Sequence, residues 1–201
     1  MPSVSGCVAP VLWVVVLAGL TGCANSEETR FYVLTPLPAV ERPRDPSPGH
    51  SPVIGLRPVG LPEYLNRPQI VTRVGENMLQ LAEFDQWGSP LRDNLTRVLA
   101  GNLSILVPAD RVAVFPWTKD SLIEYEVTVE VTRLEGTLGA SCSLAAYWVI
   151  FGRGGKESIA TGNSSHTEPA GDSYATLVAA QSRLVAALGR DIATALKAVP
   201  Q

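Results

Sequence analysis

From Ile123 to Thr132 the chain alternates apolar and polar residues without a break. Ile123, Tyr125, Val127, Val129 and Val131 fall on one side of an extended backbone, and Glu124, Glu126, Thr128, Glu130 and Thr132 on the other. A period of two over this length predicts a strand with one face buried and one face wet. The chain must therefore build a sheet and cover one side of it. Leu144 to Phe151 is apolar at almost every position, which predicts a neighbouring central strand buried on both faces. Gly152-Arg153-Gly154-Gly155 turns the chain into a more polar strand from Lys156 to His166.

Two segments carry helical spacing suited to covering such a sheet. Leu91, Leu95, Val98, Leu99 and Leu103 share one face, with Ser89 as cap, Pro90 at the first helical position, and Arg92, Asp93, Thr96 and Arg97 on the opposite side. Leu177, Val178, Gln181, Leu184, Val185, Leu188, Ile192 and Leu196 mark the face of a longer helix capped by Asp172 or Ser173. Further strands are expected at Phe31–Leu34, Val53–Val59 and Arg111–Phe115. A hairpin is expected from Gln69–Arg73 and Met78–Ala82, with Gly75 and Asn77 as turn formers. The order is strands, helix, strands, helix. It predicts an α/β fold, a single mixed, largely antiparallel sheet packed against two main helices.

The amino terminus has a separate logic. Val8 to Leu20 is apolar and uncharged, too short for a spanning helix of about 20 residues but suited to the apolar core of a secretory signal. It ends in Leu20-Thr21-Gly22-Cys23, which resembles the lipobox of bacterial lipoprotein precursors. Residues 1–22 are then a signal peptide, although they contain no Lys or Arg. The resemblance implies a diacylglyceryl group on the Cys23 sulfur and cleavage before it. One acyl chain binds membranes only reversibly, whereas the three chains of such an anchor hold effectively permanently. Ala24 stands where an aspartate would favour the inner membrane, so the resemblance implies the outer membrane.

Residues 23–30 form a lipidated tether, and 31–201 a single domain. The tether reaches at most about 25 Å, so the domain sits close to its membrane. Within the domain, 35–52 holds Pro36, Pro38, Pro43, Pro46, Pro48 and Pro52, and an extended, solvated loop is expected. Cys7 leaves with the signal and Cys23 is acylated, so Cys142 has no intramolecular partner and is expected to be a buried apolar residue.

The composition narrows the function. With 16 Lys+Arg against 19 Asp+Glu and no basic block, nucleic acid is excluded as a partner. The two histidines, His50 and His166, have no Cys, Asp or Glu at metal-ligand spacing, so neither metal nor cofactor is expected. No G-x-S-x-G elbow occurs, and Ser165 and His166 as strand neighbours point to opposite faces. Gly152 to Lys156 lacks phosphate-loop spacing and reads as a hairpin turn. Glu124, Glu126 and Glu130 read as a solvated strand face, and no residue is assigned a catalytic role.

Two further segments carry a specific resemblance. One is Leu61-Pro62-Glu63-Tyr64-Leu65-Asn66-Arg67-Pro68-Gln69-Ile70-Val71, followed by Leu79-Gln80-Leu81-Ala82-Glu83. The other is Trp87 leading into Pro90-Leu91-Arg92-Asp93-Asn94-Leu95-Thr96-Arg97-Val98-Leu99. With Phe31-Tyr32-Val33-Leu34 after a lipobox, they resemble the ABC-type transport auxiliary lipoproteins, the PqiC group. Asn66 departs from the aspartate common there, and Gly88-Ser89 from Ala-Glu. The resemblance implies a non-enzymatic, periplasm-facing lipoprotein. It would serve MCE-domain transport proteins that move lipids between membranes and maintain the envelope, and it could assemble as a homo-oligomeric ring. An assembly lipoprotein for cell-wall synthesis or secretion is the alternative, and an envelope hydrolase a more distant one.

Leu61, Pro62, Glu63, Tyr64, Leu65 and Arg67 are the candidate partner-binding residues, since Tyr and Arg on a loop bounded by prolines suit a contact surface. The competing role for Tyr64 and Leu65 is to close one edge of the core. Trp87 is expected to plug the core where the helix begins.

Overall fold

The computed structural model describes residues 27–38, 52–109, 111–118 and 122–199. The signal, Cys7, Cys23, His50 and most of the proline-rich segment lie outside them. The strands are β1 (Arg30–Tyr32), β2 (Val53–Leu56), β3 (Gln69–Arg73), β4 (Leu79–Trp87), β5 (Arg111–Val114), β6 (Tyr125–Gly136), β7 (Ser141–Phe151) and β8 (Ser158–Pro169). The helices are α1 (Leu91–Leu106) and α2 (Tyr174–Ala198).

The strands form one mixed, open sheet of eight strands. Its long ladders, β6 with β7 and β7 with β8, are antiparallel, as is the β3–β4 hairpin. The parallel pairings are short: β1 with β4, β2 with β5, and β2 and β3 with opposite ends of β6. The architecture is the α/β class expected. The alternating pattern of Ile123–Thr132 becomes β6, with Val127, Val129 and Val131 buried. A bulge between Val131 and Arg133 then resets the phase, so that Leu134 returns to the core.

Both helices lie against one face of the sheet. Every residue expected on the inner faces of α1 and α2 is buried. The helices approach closely at Gly189, where a Cβ would stand 3.3 Å from that of Asn102. The helix-side residues of β7, from Cys142 through Leu144, Ala146 and Trp148 to Ile150, are buried. On the other side Tyr147 is exposed and Ala145 and Val149 only half-buried. The strand is thus covered on one face, not two, because no second layer of helices exists among the described residues.

Local details depart from the sequence reading. Pro90, not Ser89, is the N-cap of α1, and no side chain caps that helix. Its carbonyl accepts from Asp93 and Asn94 N–H at 3.0 Å, while the Ser89 hydroxyl is engaged by Asn94 Nδ2 at 3.4 Å. Ser173 does cap α2, sharing reciprocal bonds with Thr176. Thr96 is buried, contrary to its placement on the wet side of α1. Its hydroxyl donates to the Arg92 carbonyl at 2.8 Å and accepts from Val59 N–H at 3.0 Å. The β3–β4 turn closes through Val74 N–H to the Met78 carbonyl, and neither Gly75 nor Asn77 takes a positive φ.

The start of the proline-rich segment is extended and without helix or ladder, as expected, with Thr35, Pro36 and Pro38 exposed, but its backbone is fastened to the helices. Leu34 is buried, and its N–H donates to Asn94 Oδ1 at 3.0 Å. Thr35 N–H donates to Ser182 Oγ at 3.1 Å and Leu37 N–H to Asn102 Oδ1 at 2.7 Å. Prolines forbid a ladder here, so side chains from both helices satisfy the backbone donors instead. Residues 39–51 of the segment fall outside the described structure.

Candidate functional site

The candidate loop folds as a 3-10 turn, Glu63–Leu65, between β2 and β3. Leu65 N–H donates to the Pro62 carbonyl and Asn66 N–H to that of Glu63, both at 3.0 Å. The turn splits the candidate residues by role. Leu61 and Leu65 point inward and join the core. Pro62, Tyr64 and Arg67 are half-buried, and Glu63 is exposed.

Tyr64 reaches beneath the turn to a charge the sequence reading passed over. Its hydroxyl donates to Glu135 Oε2 at 2.9 Å. Glu135 is 3% exposed and also receives Arg73, whose Nε and Nη2 donate to Oε1 at 3.1 and 2.8 Å. Arg133 Nε stands 3.6 Å from the same oxygen. Burial, reinforced by the Glu135 hydrogen bond and charge, pushes the Tyr64 phenol up to about 12. Glu135 thus fixes the loop to β3 and β6 through hydrogen-bonded charge, an arrangement that holds geometry more than it adds stability. The available signal is the glutamate directly following Leu134, beyond the end of the Ile123–Thr132 alternation.

Beside the turn lies a groove of about 360 Å³ lined by Asn66, Arg67, Pro68, Trp87, Ser89, Pro90 and Leu91. Trp87 is buried, as expected of a core plug, and its backbone N–H donates to the Pro68 carbonyl at 2.7 Å. Arg67 Nε is buried here without a hydrogen-bond partner. The loop therefore presents Glu63 and the Arg67 edge to solvent over an apolar floor.

A serine, a histidine and an aspartate do converge elsewhere, though not the Ser165 of the sequence reading. Asp191 Oδ2 accepts from Ser164 Oγ at 2.6 Å and lies 2.7 Å from His166 Nε2. Trp148 Nε1 donates to Ser164 Oγ at 3.1 Å. In an acyl-transfer triad the imidazole lies between hydroxyl and carboxylate, so that it can take the serine proton. Here the carboxylate lies between, and Ser164 is buried. The cluster ties β7 and β8 to α2.

Among the described residues no three His, Cys, Asp or Glu side chains are placed to hold a metal. Nor is any helix there long and apolar enough to cross a membrane. Glu124 and Glu126, read as a solvated face, are engaged in ion pairs with Arg153 and Arg57.

The comparisons agree with this architecture. The family model described as the ABC-type transport auxiliary lipoprotein component matches residues 32–193. The chain is 26% identical over 142 residues to the intermembrane transport lipoprotein PqiC of Escherichia coli K12, covering 69% of this chain and 73% of that protein. The same protein of Shigella flexneri matches equally. A crystal structure of an uncharacterised protein shares the fold with a TM-score of 0.68 at 20% identity, covering 85% of this chain and 99% of that one. A Xanthomonas campestris protein follows with a TM-score of 0.61 at 16% identity, over 83% and 90% of the two chains. The fold is thus shared with solved structures, and the chain belongs to the ABC-type transport auxiliary lipoprotein component family.

Proposed function

We propose that this protein is a non-catalytic, periplasm-facing auxiliary lipoprotein of an MCE-type transport system that moves lipid between membranes. Acyl chains on Cys23 hold it to the outer membrane, and the Leu61–Arg67 turn helps dock an MCE-domain protein. The observation that carries this reading is the family match over 32–193, supported by the relative named for intermembrane transport. The Glu63 and Arg67 rim supports the docking role, because it is a charged edge on a turn held firmly from below. A ring of copies around a transport tunnel belongs to the same reading.

The test is affinity purification from crosslinked envelopes, with a Cys23→Ala version alongside. Recovery of an MCE-domain protein, weakened without the anchor, is expected. Recovery of cell-wall synthases or a secretion pore, with no MCE protein, overturns the reading. A Glu63→Arg, Arg67→Glu double variant is expected to fold normally and recover less of the MCE protein. Sizing of the detergent-extracted protein tests the ring, which monomers at all working concentrations would exclude.

A further inference from the structure

Two arginines of this fold meet a buried carboxylate through the same edge of the guanidinium. Arg30 donates from Nε and Nη2 to Asp85 at 2.9 Å, and Arg73 donates from Nε and Nη2 to Glu135 Oε1 at 3.1 and 2.8 Å. Arg67 lines the groove beside the Glu63–Leu65 turn, and its Nε is buried there without a hydrogen-bond partner. None of the ion pairs among the described residues involves it. A guanidinium cannot shed its charge, so a donor withdrawn from water in this way is costly until an acceptor reaches it.

The groove supplies no acceptor of that kind itself. Its volume is about 360 Å³, and Asn66, Pro68, Trp87, Ser89, Pro90 and Leu91 complete the lining without a carboxylate. Glu63 is exposed on the turn and joins none of those ion pairs. Asp93, the acid in the first turn of α1, lines a different groove with Pro58 and Arg97. Because α1 begins at the groove with no side-chain cap, its positive end adds to the field of Arg67. Arg92 Nε is also buried without a partner, but Arg92 does not line this groove. Cationic above an apolar floor of Trp87, Pro68 and Leu91, the groove is complementary to a carboxylate carried beside an apolar side chain.

We propose that this groove receives an acidic residue of the docking protein, its carboxylate held by Nε and Nη2 of Arg67 and its apolar neighbour resting on Trp87, Pro68 and Leu91. This rests on the docking reading above and gives it a chemistry. The planar fork of an arginine matches the two oxygens of a carboxylate, as Arg30 already shows on Asp85. The contact also selects the partner. A segment without a carboxylate would close over Arg67 and leave its charge buried and unpaired, a penalty that the acidic segment avoids.

The test places a photocrosslinking benzoylphenylalanine at the exposed Asn66 of the full-length protein and irradiates native envelopes. The crosslinked peptide is expected to hold Asp or Glu beside an apolar residue; a segment without a carboxylate overturns the proposal. Crosslinking to phospholipid, with no peptide, overturns protein as the occupant. A synthetic peptide of the captured segment is then titrated into purified full-length protein, with its acid-to-amide counterpart beside it. Arg67→Gln and the amide peptide are each expected to weaken binding by about tenfold or more, and together by no more than either alone. Arg67→Lys is expected to recover only part of the loss, since it keeps the charge without the fork. Additive losses, or binding indifferent to Arg67, overturn the proposal. Arg67→Met keeps the apolar stem, so its urea midpoint is expected to equal or exceed the parent's. A lower midpoint would mean that the guanidinium is already partnered in the free protein, which overturns it too. Recovery of an MCE-domain protein with no crosslink at Asn66 rejects the groove and leaves the docking partner standing. An acidic segment from a protein of another kind does the reverse.

Discussion

Arg30 grips Asp85 through two parallel hydrogen bonds of 2.9 Å, Nε to Oδ1 and Nη2 to Oδ2. The two residues face each other across the β1–β4 pairing, and Tyr32 adds a third donor to Oδ1 at 2.7 Å. Asp85 is buried while Arg30 is half-exposed, so the aspartate is the fixed partner. A strand of three residues has little ladder to hold it, and this clamp supplies what the backbone cannot.

The clamp has a pH signature. Burial pushes the Asp85 carboxyl up, but hydrogen bonds from Arg30 and Tyr32 and the Arg30 charge outweigh it, leaving it below its ordinary 3.8. A lowered folded value means the contribution is fully present above pH 3.8 and is lost as pH falls through the folded value. Asp85→Asn is expected to be less stable than the parent at pH 7, with the difference shrinking as acid is added below that point. Urea midpoints across pH check this; a constant difference would show that the charge is not what Asp85 contributes. Amide exchange in β1 is expected to quicken in the variant.

Tyr64 has the opposite limb. Its folded value is raised to about 12, so its contribution is present below the ordinary 10 and lost as pH rises from there through 12. In the absorbance titration, the parent-minus-Tyr64→Phe difference is expected to show a phenol ionising well above pH 10. Glu135→Gln is expected to bring that midpoint down without restoring it to 10, since burial, the largest cause, remains. Tyr64→Phe itself is expected to cost about 1.5–3 kcal/mol, the scale of a hydrogen bond to a charged acceptor.

Cys142 is a check on the core. It is fully buried under the helices, and burial, with the Glu135 charge behind it, pushes its thiol up to about 12. Native protein at pH 8 is therefore expected to leave it unreacted with a disulfide reagent, while denaturant releases one thiol per processed, acylated chain. Rapid reaction without denaturant would mean that β7 is not covered by α2.

Periodicity made most of this fold legible. Val127, Val129 and Val131 set β6 by alternation, and Leu91 to Leu103 and Leu177 to Leu196 set the helices by their spacing. Those signals survive because burial of a repeating face is a property of the segment alone. What escaped depends on a distant neighbour. Glu135 and Asp85 read as ordinary strand charges until Arg73, Tyr64, Arg30 and Tyr32 are brought to them by pairings of the sheet. Thr96 read as a surface residue because nothing local indicates that Val59 N–H needs an acceptor there. The bulge after Val131 hid Leu134 and Glu135 in the same way, by breaking the period that announced the strand. Of the candidate loop, the turn was legible from its prolines. That Leu61 and Leu65 face inward while Glu63 faces out was not.

The helix asparagines show the same dependence most sharply, and they can be tested. Asn94 and Asn102 are both buried on α1, where an asparagine is a poor helix former and an unpaired amide is costly. Their side-chain oxygens take the N–H groups of Leu34 and Leu37, the second of which lies between Pro36 and Pro38 and so is kept out of any ladder. Asn94→Ala removes the acceptor and strands a buried donor, an expected loss of about 2 kcal/mol. Asn94→Asp keeps the acceptor and is expected to recover much of it. The urea midpoint measures the loss, and exchange at the Leu34 amide assigns it, since that amide is expected to exchange faster in the alanine variant before the global transition is reached. Equal stability of parent and Asn94→Ala would mean that the segment is not docked on the helices in solution.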